Sequence, residues 1–319
     1  MQRLPLTLAA LFLLAPLACD QPVEVLPDRG LSLGVGEHGG APPASIVFHS
    51  VRDGNPLRKI HAMNADGSGQ HAISDGPGND LWPDLSPNGR FVAFASTRTG
   101  NSEIFVLDLK SGTLVNVSND PGDDNWPRWS PNGQQIAFHS NRDGDYNLYV
   151  VNADGTGLRS VTTDPALDQW PDWSPDGKRL AFRRGLDVYA VDANGVEGNV
   201  ERLTHLPATL DQMPVWSPNG KQIAFMSLRE GYPSVFLMTA EGDTPDHPAV
   251  NLTPKDPADP ASAWLSRAPA WSKNGQQIYF MSFRPITGGD VEVFVMNADG
   301  SAPTRLTFSP GEDGGPQSR

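Results

Sequence analysis

Apolar and polar positions alternate along this chain in short bursts, each stopped by Gly, Asn, Asp or Pro. The runs "SIVFHS", "RFVAFAS", "QQIAFHS", "KRLAFRR", "KQIAFMS" and "QQIYFMS" are versions of one segment. Bursts of this length, rich in β-branched and aromatic residues and bounded by turn formers, predict strands. Leu85, Trp129, Trp173, Trp216 and Trp271 anchor the repeat at steps of 44, 44, 43 and 55 residues. In the unit holding Trp129, four strands are expected: "PRWS", "QQIAFHS", "YNLYVVN" and "LRSVT". The turns "SPNG" and "NADG" supply the positive φ of tight hairpins.

A four-stranded antiparallel sheet repeated at this period reads as one blade of a propeller. Six versions of the second strand predict an all-β, six-bladed β-propeller over residues 45–319. Trp129, Trp173, Trp216 and Trp271 are expected between neighbouring blades as core, together with the "IAF" triplets. Closure is open at this stage. The last unit ends "LTFSPGEDGGPQSR", where Pro316 is expected to begin an inner strand with only three residues to follow. Either the tail from Gly315 or residues 31–42 completes the first blade.

Over residues 45–316 these units resemble the WD-like β-propeller repeats of the TolB group. The resemblance implies a propeller that engages protein partners in the cell envelope. Translocation proteins of that group carry an α/β domain ahead of the propeller. Residues 19–44 stand there instead, so the resemblance does not imply a role in that system.

The first residues, "MQRLPLTLAALFLLAPLACDQP", have the layout of a secretory signal, one Arg followed by an apolar run and small residues. Cys19 is the one cysteine of the chain. Its surroundings resemble the lipobox of bacterial lipoproteins, with Pro16 as a departure. Residues 1–18 are therefore expected to be a signal peptide, Cys19 to carry lipid, and residues 19–44 to form a flexible tether. The propeller would then lie in the periplasm or at the cell surface, held to the membrane only through the anchor. The 32 Gly and 30 Pro fit many short elements joined by turns. A net charge of -13 argues against nucleic acid as a partner.

Because strands alternate in direction, "SPNG" and "NADG" share one face, and the "D-x-x-P" and "S-x-R-D-G" segments share the other. On that second face Asp80, Asp124, Asp168, Asp211 and Asp313 are expected to ring the channel mouth, with Ser266 at the remaining position. Arg52, Arg98, Arg142, Arg229 and Arg284 follow on the same face. They either pair with the Asp residues or leave a carboxylate ring able to hold a cation such as Ca²⁺. No other cofactor is expected. Trp82, Trp126 and Trp170 precede the Pro in three successive units and suggest an aromatic arc. The segments "PKDPADPASAWLSRAP", which carries Trp264, and "FRPITGGDVEV" are longer than their counterparts and point to the sector between blades five and six. The seven His show no metal-binding spacing, and no nucleophile elbow occurs. The expectation is a non-enzymatic platform for an envelope protein or peptide. The alternative is a carbohydrate-binding or lyase-like propeller.

Overall fold

The computed structural model describes residues 45–52, 54–254, 265–283 and 290–318. The signal segment, Cys19, the tether, Trp264 and Arg284 lie outside the described residues, as does most of the two lengthened loops. Among the described residues every regular element is a strand. They form six antiparallel four-stranded sheets, each laid out from an inner to an outer strand. Blade three is representative, with strands Asp124–Trp129, Gln135–Ser140, Asn147–Asn152 and Arg159–Ser160.

Ring closure comes from the tail. Asp313–Ser318 is the inner strand of the first blade and pairs antiparallel with Ile46–Ser50. It begins at Asp313, three residues before the Pro316 expected from the sequence. The same correction holds in the complete units, where inner strands begin at the Asp rather than at the Pro: Asp80–Leu85, Asp124–Trp129, Asp168–Trp173 and Asp211–Trp216.

The core is divided among the six blade-to-blade contacts. Trp129 is 1% exposed and packs with Ala93, Ile104 and Val106 of blade two and with Ile136 and Phe138 of its own blade. Trp173 and Trp271 repeat this between later blades. Each indole spans the wedge between two twisted sheets, which smaller side chains leave unfilled. Trp173 and Trp271 also donate their Nε1–H to the main-chain carbonyls of Arg128 and Val215 in the preceding blade.

Candidate functional site

The site begins with the Asp that opens each inner strand. Asp80, Asp124, Asp168, Asp211 and Asp313 are all 0% exposed. Each is held by an Arg of its own blade: Arg98 to Asp80, Arg142 to Asp124 and Arg229 to Asp211 at 2.9 Å, and Arg52 to Asp313 at 2.5 Å. The Ser ending the second strand joins the pair. Ser96 Oγ donates to Asp80 at 2.6 Å and accepts from Arg98 Nε at 2.8 Å. Each guanidinium also lies over the Phe of the second strand, as Arg142 does over Phe138 at 5.5 Å. Burial raises the carboxyls of Asp124, Asp168 and Asp211 above the ordinary range, against the lowering effect of their hydrogen bonds and Arg partners.

Blade four departs from this plan in a way the sequence reading missed. "FRR" puts Arg184 where the other blades have Ser. Its Nη2 reaches Asp168 at 2.6 Å and Glu197 at 3.1 Å. The signal was present in the sequence as the loss of Ser from that position. In blade six Ser266 meets Ser282 at 3.2 Å, so the inner strand brings no carboxylate to this position.

These contacts correct the expected mouth. The five carboxylates are turned inward, and their oxygens accept hydrogen bonds from guanidinium and hydroxyl groups of their own blade and of the blade before it. Among the described residues no three His, Cys, Asp or Glu side chains converge as metal ligands. The Asp set therefore does not fit the expected Ca²⁺.

Two residues beyond each Asp, the inner strand bulges. Trp82, Trp126, Trp170, Met213 and Ala268 have φ between 49° and 58°, and Gly315 has φ 58°. At this bulge two residues of the inner strand oppose one of its neighbour, which turns the side chain toward the axis. Trp126, Met213 and Ala268 are buried there with Met281, and Trp82 and Trp170 pack against them half-buried. Trp82 and Trp126 lie 4.2 Å apart between ring centres, and Trp126 meets Trp170 at 6.2 Å and 69°. The arc is thus closer to a plug than to a row of open indole faces. Gly315 completes the ring because a Cβ there would come within 2.8 Å of Trp82.

Two histidines back this plug. His49 stands edge-on to Trp82 at 4.7 Å, and His139 Nδ1 accepts from the Trp170 amide at 3.3 Å. Burial lowers both to a pKa of about 3, helped at His49 by the nearby Arg58 and Arg267. Arg183 lies over Trp170 at 5.0 Å, and Arg267 is exposed on the inner strand of blade six. The mouth thus presents indoles and guanidinium groups where carboxylates were expected.

Deeper along the axis, the residue after each Pro brings together a second polar set. Asp84 and Asp172 accept the main-chain N–H of the next blade's Trp129 and Trp216, at 2.7 and 2.8 Å. Between them Arg128 is 2% exposed, with its Nε 3.4 Å from Asp172. Beyond this set, on the "SPNG" face, the axis opens into a pocket of about 230 Å³ lined by Trp173, Trp216, Trp271, Asp172 and the turn prolines. Sequence reasoning placed no pocket on that face.

Residues 40–185 match the family model of the TolB beta propeller domain. A TolB homologue from Chlorobium luteolum is 30% identical over 94 residues, which are 29% of this chain and 20% of that protein. The crystal structure of TolB from Acinetobacter baumannii superposes with a TM-score of 0.71 at 22% identity, over 86% of this chain and 66% of that one. A putative TolB from Agrobacterium tumefaciens gives 0.64 at 23% identity, over 84% and 90%.

Proposed function

Because the chain is a TolB-like β-propeller protein, we propose that it is a non-catalytic platform for a protein or peptide partner in the cell envelope. One observation carries the reading: Trp82 and Trp170 are half-buried around the axial cluster, and Arg183 lies over Trp170. Trp and Arg held rigidly around a desolvated centre are the side chains that dominate protein–protein affinity. Five of the six bulge positions keep a side chain at positive φ, although glycine would adopt that backbone without strain. The buried Asp80, Asp124, Asp168, Asp211 and Asp313 then act as internal supports of the loops around the mouth. Trp126 would hold the two outer indoles in place. The lyase-like or glycan-binding alternative has less in its favour, since the indoles spend their faces on one another. His49 and His139, with a pKa of about 3, are poor proton acceptors at neutral pH.

The experiment is cross-linked capture of the partner from native envelopes. Trp82→Ala with Trp170→Ala should lose the partner while the fold is retained. Asp154→Lys on the opposite face should keep it, and the reverse pattern would overturn the proposal. Anchoring through Cys19 belongs to the same proposal. Cys19→Ser should move the protein from the membrane pellet to the soluble fraction, and an unchanged distribution would count against the anchor.

A further inference from the structure

We propose that the pocket on the "SPNG" face is a second recognition site, which takes the tip of an acidic peptide. It would seat one apolar side chain between flanking carboxylates.

Its wall is a collar of turns. Pro87, Pro131, Pro175 and Pro218 each pack against the turn glycine of the following blade, and all four line the pocket. A Cβ placed on Gly133, for example, would meet Pro87 Cδ at 3.5 Å. The collar ends at blade six, because the inner strand of blade one arrives from the C-terminal side and brings no such turn. Lys273 occupies the proline position there, exposed and lining the pocket. With no neighbouring glycine to pack upon, this position is free to carry charge.

The charge around the opening runs against that of the chain, which is -13 overall. On the collar turns Lys178, Lys221 and Lys273 are exposed. Asp176 is the acidic residue of these turns, and it lies 3.6 Å from Lys178. Inside the pocket Asp172 is already engaged by the Trp216 amide and Arg128. The outer "NADG" turns carry Asp66, Asp154 and Asp299, each accepting a hydrogen bond from a Ser or Thr hydroxyl of its own turn. A basic inner ring inside an acidic outer one draws negative charge to the axis and repels it elsewhere.

The floor suits an apolar group. Val215, Ala270 and the indoles of Trp173 and Trp271 supply the apolar surface.

The test uses fluorescein-labelled Gly-Glu-Leu-Glu-Gly, Gly-Gln-Leu-Gln-Gly and Gly-Lys-Leu-Lys-Gly, followed by anisotropy. The acidic probe should bind at least about tenfold more tightly than the other two, and more weakly as salt rises. Lys221→Glu with Lys273→Glu should reverse the order of the acidic and basic probes. Glu230→Lys on the opposite face should change nothing. The lysines are exposed, so the variant keeps its fold, which thermal unfolding verifies. The proposal is overturned if the acidic probe does not bind at millimolar concentration or the neutral probe binds equally well. It is also overturned if charge reversal leaves the order unchanged, or if an oligogalacturonate trimer binds where the acidic peptide does not.

Discussion

Arg184 Nη2 lies 2.6 Å from Asp168 Oδ2 inside blade four, with the carboxylate fully buried and the guanidinium largely so. In four other blades the same bond is made by an Arg two residues further along, with a Ser hydroxyl bonded to both partners, as in Ser96 with Asp80 and Arg98. Blade four therefore keeps the ion pair without the Ser and has Glu197 as a second acceptor. A buried carboxylate held in this way stabilises little by its presence, because desolvation offsets the attraction. Its loss of a partner is costly.

Arg184→Ala is expected to destabilise the propeller by about 3–5 kcal/mol, leaving Asp168 buried and unpaired. Adding Asp168→Asn should recover part of the loss, since the neutral amide carries no charge to desolvate. Urea unfolding of the two singles and the double decides it. Additive losses would mean that the pair does not interact.

Trp173→Ala is expected to cost about 3–5 kcal/mol, the loss for an indole removed from a packed core. Trp173 is 5% exposed between blades three and four and donates to the Arg128 carbonyl. Leu85→Ala, at the equivalent place between blades one and two, should cost about 2–5 kcal/mol. A change under 1 kcal/mol in either, read by urea unfolding, would contradict the packing described.

Gly315→Ala tests the axial ring. The added methyl would sit 2.8 Å from Trp82 and 2.9 Å from His49 Nδ1. Overpacking of this kind costs about 1–3 kcal/mol. Ala268 and Met213 carry a Cβ at the same backbone angle, so the obstacle at Gly315 is chiefly the neighbouring rings. Trp82→Ala combined with Gly315→Ala should therefore be less destabilised than the sum of the singles.

Stability should fall in mild acid. His49 and His139 have a pKa of about 3 when folded, against 6.5 for the free side chain. With folded values depressed, the unfolded chain takes up protons first. The full contribution is present above pH 6.5 and declines below it, by about 1.4 kcal/mol per pH unit for each histidine. The ring carboxyls of Asp124, Asp168 and Asp211 shift upward instead. In the folded state they gain protons before the unfolded chain does, which opposes the decline toward the lower end. Urea midpoints measured from pH 7.5 to 4.5 should drop, and His49→Gln with His139→Gln should flatten the drop. A flat wild-type profile would show that the histidines are not held neutral by burial.

The repeat alone determined that the protein is a six-bladed propeller, that Trp129, Trp173 and Trp271 are core, and which turns share a face. These follow from local periodicity, because the alternation of apolar residues and the Asn-Gly and Asp-Gly turns act over a few residues and recur in every unit. Tertiary structure decided how the ring closes. Ile46–Ser50 pairs with Asp313–Ser318, a contact between the two ends of the propeller that no local pattern encodes. It also decided the fate of the Asp set. An acidic residue before a strand, with an Arg on the same face, reads as either paired or open until the Arg is seen to fold back over the Phe and reach it. The same holds for the indole plug and for the pocket on the other face. Both are made of single side chains from successive blades that meet only where the six inner strands converge on one axis.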